Sequence, residues 1–172
     1  MNLQDNDFVL YGLPERFAQD RAAIEARWKE LQREAHPDRF AGHGAAAQRV
    51  AMQWSVRINE AHQRLKDPLR RAAYLCELRG APIDAERNTA MPAAFLAEQM
   101  EWRESLDDAA SEDEVQAVSE RLEAARRQVL ADIERLLDRE RDAPGAAQQV
   151  RALMFIERFA HDVEARLDQL GQ

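Results

Sequence analysis

The chain has 172 residues, 45% of them hydrophobic and 33% charged, with a formal net charge of −8 at pH 7. That length carries one domain or two small ones around a real core. The acidic balance speaks against a generic nucleic-acid binder, which needs a basic footprint, and no stretch approaches the roughly 18 apolar residues of a membrane span.

In chain order, Asp7 to Leu13 reads as a short helical or turn segment with Phe8, Val9, Leu10 and Tyr11 apolar, closed by Gly12 and Pro14. From about Asp20 to Ala35, the residues Ile24, Trp28, Leu31 and Ala35 form one stripe at helical spacing. Asp20 is the expected N-cap, and Pro37 enforces the stop, because proline disfavours helix in the residue before it. After a loop from His36 to Gly44, a second long helix is predicted from about Ala45 to Lys66, with the stripe Val50, Trp54, Ile58, Ala61 and Leu65. Two such stripes joined by a short loop form an antiparallel hairpin. Asp67-Pro68 starts another helix, aspartate as cap and proline at the first position; it carries Leu69, Ala72, Ala73, Leu75 and Cys76 and stops near Gly80-Ala81-Pro82.

Residues 81–91 read as a linker, which divides the chain into a first domain at 1–80 and a second at 92–172. Pro92 opens a helix whose core stripe is Phe95, Trp102 and Leu106. Ser111-Glu112-Asp113-Glu114 fits a capping box. The long helix it starts repeats Val115, Val118, Leu122, Ala125, Val129, Ile133 and Leu136, and Pro144-Gly145 is expected to break it. The last helix carries Val150, Leu153, Ile156, Ala160, Val163, Leu167 and Leu170. Facing stripes on three successive helices make a bundle the simplest packing. The fold class is all-α.

The residues that carry chemistry concentrate at His36-Pro37-Asp38, a histidine and a carboxylate presented on a loop between matched helices. Lys29 and Arg33 lie four apart on the helix before it, and Arg39 follows in the loop, so a basic patch surrounds the tripeptide. The plain alternative is a helix-stop turn beside a solvated face, since Glu25, Glu30 and Glu34 alternate with those cations. A metal centre built on His36, Asp38 and His43 lacks a fourth ligand. Cys76 sits in an apolar stretch, and no nucleophile elbow or phosphate-cradling loop occurs. Neither metal nor cofactor nor catalysis is expected. In the second domain, Leu96 and Met100 are angularly offset from the core stripe, with Glu101, Glu104 and Asp108 as an acidic margin. Phe155 lies off the main stripe of the last helix and completes the patch. Such a strip suits an amphipathic or basic partner; the plain alternative is a broad core stripe.

Placed between its two helices, His36-Pro37-Asp38 resembles the signature of a J-domain. Tyr11-Gly12-Leu13-Pro14 is similar to the J-domain opening, Arg33 to Phe40 to the helix end and loop, and Ile58-Asn59-Glu60-Ala61 to the third-helix core. The glycine- and phenylalanine-rich segment and the zinc-binding cysteines of larger J-proteins are absent, and a helical bundle follows instead. That combination resembles the HscB family of iron–sulfur co-chaperones over almost the whole chain. Phe95 to Glu104 is similar to the family's client-binding helix, and Pro68 to Leu75 to its inter-domain stretch. The resemblance implies an HscA- or DnaK-class heat-shock ATPase as the partner of Lys29, Arg33, His36, Pro37, Asp38 and Arg39. It implies the iron–sulfur scaffold protein IscU as the partner of Leu96, Ala97, Met100, Glu101, Glu104, Asp108 and Phe155. Arg39 stands where lysine is frequent, His62 where a larger aromatic is frequent, and Ala97 where a larger apolar residue is frequent. With no basic-then-apolar leader at Met1 to Asp5, a cytoplasmic protein is expected. The rivals are a protein of this fold with another client, a loop-centred metal hydrolase, and a purely structural bundle.

Overall fold

The computed structural model describes residues 1–172. All regular structure is helical: α1 (Asp7–Tyr11), α2 (Arg21–Ala35), a 3-10 turn (Pro37–Phe40), α3 (Ala45–Lys66), α4 (Pro68–Leu78), α5 (Ala93–Asp108), α6 (Glu112–Glu134), a π-helical turn (Arg135–Arg139) and α7 (Ala143–Leu170). The chain divides into two compact units, Met1–Leu75 and Cys76–Gln172, with the boundary inside α4.

In the first unit, α1 is capped by the Asn6 side chain, which accepts from the Val9 N–H, and ends on Gly12 at φ 65°. That left-handed conformation suits glycine. Asp20 caps α2 by accepting from the Ala22 N–H at 3.0 Å. The helix ends at Ala35, as Pro37 requires. α2 and α3 are antiparallel: Glu25 meets His62 and Gln32 meets Asn59 across the pair. Phe8, Leu10, Tyr11, Ile24, Leu31, Ile58 and Leu65 fill the core. The Tyr11 hydroxyl donates to the Ile58 carbonyl at 2.7 Å. Burial, the largest cause, pushes that phenol well above its ordinary pKa.

The expected α3 stripe closes only at its far end. Val50 is half exposed and Trp54 half-buried, and with Leu31, Phe40 and Ile58 they line an apolar pocket under the loop. Ala46 and Ala47 form part of its wall; side chains that small cannot cover the larger ones. Ala51 takes the fully packed position instead.

Asp7 is wholly buried. Its carboxylate accepts from Arg64 Nε and Nη2 at 2.6 and 2.9 Å and pairs with Arg57 at 2.8 Å, while its N–H donates to the Tyr74 hydroxyl at 3.0 Å. A buried charge is tolerated only when paired in this manner. The bond to Asp7 also raises the Arg64 pKa.

The second unit packs α6 against α7, with α5 across them. Phe95, Trp102, Leu106, Val115, Val118, Leu122, Val129 and Ile133 are buried, opposite Val150, Leu153, Ile156, Phe159 and Val163. Ser111 caps α6 by accepting from the Glu114 N–H, and Glu114 reaches back to the Ala110 N–H. Two expectations at the α6–α7 junction need correction. Leu137, not Leu136, is the fully buried residue, because a π turn adds a residue and rotates the register. Pro144-Gly145 does not break the chain but lies in the first turn of α7, where proline's missing donor costs nothing. The break falls at Glu140 to Asp142, with Arg141 at φ 55°. Asp142 then caps α7 through the Gly145 N–H at 3.0 Å. Any Cβ at Gly145 would collide with that carboxylate.

Segment 81–91 belongs to the second unit and is held to α7 by Arg151, which donates to the carbonyls of Ile83 and Ala90 at 3.0 and 3.1 Å. Cys76 is fully buried with its thiol 3.9 Å from the Ala143 carbonyl, and burial pushes its pKa up to about 11. A thiol held protonated at neutral pH is inert.

Candidate functional site

Two surfaces carry the sequence-predicted residues, one in each unit. In the first, the chain leaves α2 at His36 with ψ 129°, the extended geometry that a following proline imposes. Pro37, Asp38, Arg39 and Phe40 then make a single 3-10 turn. His36 Nδ1 accepts from the Asp38 N–H at 3.2 Å and stands 3.7 Å from the Asp38 carboxylate. An accepting Nδ1 leaves Nε2 as the ring's donor in the neutral imidazole. The Asp38 side chain is 93% exposed, so it is aimed at solvent and free to accept from a partner.

Arg33, His36 and Arg39 line one shallow groove together with Gln32. Arg39 leans back toward α2, its Nη1 3.4 Å from the Arg33 carbonyl. Lys29 is exposed one helical turn before Arg33 and extends the positive surface without entering the groove. Sequence reasoning omitted Gln32, although it sits four residues before His36 and therefore over the same face. His43 turns aside, its ring edge-on to Phe40 at 5.8 Å. No group of three or more His, Cys, Asp or Glu is arranged to hold a metal ion.

The second surface lies on α5 and α7. Leu96 is 42% exposed and Met100 72%. Beneath them Phe95, Trp102, Phe155 and Phe159 form an aromatic layer: Phe155 stacks on Phe159 at 5.8 Å and meets Phe95 edge-on at 5.8 Å. Met100, Glu104, Asp108 and Phe155 line one groove with Gln99, Arg103 and Asp107. Leu96, Ala97 and Glu101 are exposed on α5 outside that groove, Leu96 one turn before Met100. Gln99, Arg103 and Asp107 escaped sequence reasoning, yet their spacing relative to Leu96 and Met100 puts them on the same helical face. Arg103 lies over the Phe159 ring at 5.1 Å and faces Asp162 at 3.6 Å. The groove is thus apolar at its floor and acidic at its rim. Phe155 belongs both to the aromatic layer and to the surface.

Neither surface joins a nucleophile to a base, and no helix is long and apolar enough to cross a membrane. An exposed His-Pro-Asp turn lies in one unit and an exposed apolar helix face in the other. Residues 91–164 match the family model described as the HSCB C-terminal oligomerisation domain. The co-chaperone protein HscB homologue of Burkholderia multivorans is 50% identical over 99% of this chain and 98% of its own. That of Burkholderia cenocepacia is 48% identical over the same shares.

The chain belongs to the HscB co-chaperone family. Among solved structures, the chaperone HscB from Vibrio cholerae superposes with a TM-score of 0.87 at 38% identity, covering 96% of this chain and 99% of its own. Human co-chaperone protein HscB gives a TM-score of 0.84 at 24% identity, covering 96% and 84%, a likeness of fold. The all-α architecture, a J-domain hairpin followed by a three-helix bundle, is that of HscB structures.

Proposed function

We propose that the first unit stimulates the ATPase of an HscA- or DnaK-class heat-shock chaperone, and that the second binds the iron–sulfur scaffold protein IscU and brings it to that chaperone. In this reading residues 1–80 act as the J-domain, 81–91 as the connection and 92–172 as the client-binding domain, in the cytoplasm. The observation that carries it is the His36-Pro37-Asp38 turn, exposed at the end of the hairpin and sharing a groove with Arg33 and Arg39. The protein performs no chemistry of its own. It shifts the chaperone toward its hydrolysis-competent state by binding that state more tightly, since only differential affinity moves such an equilibrium.

Lys29, Arg33 and Arg39 supply charge that an acidic surface on the chaperone attracts, which acts mainly on association rate. Leu96, Ala97, Met100 and Phe155 offer apolar area, with Glu101, Glu104 and Asp108 as acidic neighbours for a basic or amphipathic segment of the scaffold. Holding both partners on one chain raises the local concentration of scaffold at the chaperone without any new contact.

The test is steady-state ATP hydrolysis by the chaperone with wild-type protein and with His36→Gln. The variant is expected to fold and to bind scaffold normally while stimulation disappears. Normal stimulation by His36→Gln defeats the reading of the loop.

A further inference from the structure

A polar seam runs along one edge of the α2–α3 hairpin and stops at the residue that precedes His36. At its far end, His62 Nε2 lies 2.7 Å from Glu25 Oε1, and Trp28 stacks on the His62 ring at 4.3 Å and 7°. Next, Asn59 Oδ1 accepts twice from α2, from Trp28 Nε1 at 3.0 Å and from Gln32 Nε2 at 2.5 Å. At the near end, the Ser55 hydroxyl reaches the Ala35 carbonyl at 3.4 Å. Ser55, Asn59 and His62 are spaced by four and three, so one face of α3 reads the whole length of α2.

We infer that Asn59 is a positioning residue for the His36-Pro37-Asp38 turn, acting through Gln32 and Trp28 to fix the register of α2 against α3 where the turn begins. This rests on the reading of the turn as the chaperone contact. Leu31 and Ile58 pack beside the Gln32–Asn59 bond, but beyond them the apolar contact is incomplete. Under the loop it is an open pocket lined by Phe40, Val50 and Trp54, and apolar contacts are non-directional. Directional bonds therefore add to the alignment at this end. Gln32 is the link: it donates to Asn59 and also lines the groove with Arg33, His36 and Arg39. With Asn59 as its acceptor, the Gln32 amide is tied to α3 at the wall of that groove. Functional groups on a loop depend on such supporting bonds to stay in productive geometry.

The experiment titrates each variant into an HscA-type chaperone and separates maximal stimulation from the half-saturating concentration. Asn59→Leu keeps the size but removes the acceptor of both bonds; its maximal stimulation is expected to fall about fivefold or more, since one such hydrogen bond is worth roughly that factor. Its half-saturating concentration should stay near wild type, because Lys29, Arg33 and Arg39 remain in place. Asn59→Asp, which retains an acceptor for both donors, should recover the lost stimulation. Gln32→Leu breaks the same link from α2 and should lower maximal stimulation in the same manner, even if Asn59→Leu fails to fold. Full stimulation by Asn59→Leu or Gln32→Leu, in an assay where His36→Gln is inactive, overturns the role of Asn59 while leaving the loop reading intact. Full stimulation by His36→Gln itself removes the loop reading first. An equal deficit in Asn59→Asp and Asn59→Leu also overturns the inference, since the acceptor would then not be what matters.

Discussion

The first unit centres on Asp7, whose fully buried carboxylate is held by Arg57 and Arg64 while its backbone N–H donates to the Tyr74 hydroxyl, whereas the second centres on four aromatic rings, Phe95, Trp102, Phe155 and Phe159. Their surfaces differ in the same sense. The first offers a polar turn braced by the bond from the Asp38 N–H to His36 Nδ1, with the Asp38 carboxylate open to solvent; the second offers an apolar helix face resting on packed rings. Directional contacts fail abruptly when one partner is removed, because the other is left unsatisfied. Apolar contact is lost in proportion to the area removed. Removing one partner of a buried bond in the first unit should therefore cost more than trimming one apolar side chain in the second, where the loss follows the area removed.

The largest expected effect tests the first half of that contrast. Asp7→Ala strands the mostly buried Arg57 guanidinium, while Arg64 keeps partial solvent contact, and should cost about 3 kcal/mol of stability, read by urea denaturation. A loss below about 1 kcal/mol, the range of exposed pairs, would show that the cluster is not electrostatically demanding. The second unit comes next. Alanine at Leu96, Met100 and Phe155 together should weaken scaffold binding by about 2–4 kcal/mol, read by calorimetry, with basal ATPase stimulation unchanged. Phe155→Ala alone will also lower stability, since its ring stacks on Phe159. The Leu96→Ala/Met100→Ala double variant should lose affinity without losing stability. Unchanged affinity in that double variant would place the scaffold elsewhere.

A smaller effect belongs to charge. Lys29→Glu combined with Arg33→Glu should slow association with the chaperone about tenfold at low salt and much less at high salt. A deficit that ignores salt, followed by stopped-flow, would contradict a steering role. The smallest concerns Glu25. Its hydrogen bond from His62 is the largest cause holding its carboxyl below the usual carboxylate range, with burial opposing. A pKa lowered in the folded state contributes stability fully present above the unfolded value and lost as pH falls through the folded one. The stability difference between wild type and Glu25→Gln should thus be greatest near neutrality and shrink below about pH 4. A difference that grows on acidification would reverse the assigned sign.

Much of the fold was legible because its signals are local. The capping residues Asp20 and Ser111, the stop at Pro37 and the stripes of α2, α6 and α7 depend on neighbours within one or two turns. The His-Pro-Asp turn was legible for the same reason. Asp7 was not: its partners Arg57, Arg64 and Tyr74 lie 50 to 67 residues away, and an acid in a helix's first turn ordinarily signals solvent. The π turn hid the exchange of Leu137 for Leu136, because a helical period assumes an unbroken register. The pocket under the loop escaped notice because periodicity assigned Val50 and Trp54 to a face without asking what opposes it. On the candidate surfaces, Gln32, Gln99, Arg103 and Asp107 share a face with the predicted residues by spacing, but as polar residues they carry no local signal that separates them from ordinary solvated surface.

The most direct measurement is steady-state ATP hydrolysis by an HscA-type chaperone with this protein, in the presence and absence of the scaffold protein. The account expects stimulation by this protein alone and a further rise when scaffold is added, with the rise abolished by the Leu96→Ala/Met100→Ala variant. Stimulation that ignores the scaffold would separate the two units functionally and contradict the adaptor mechanism, and no stimulation under either condition would reduce His36-Pro37-Asp38 to a helix stop.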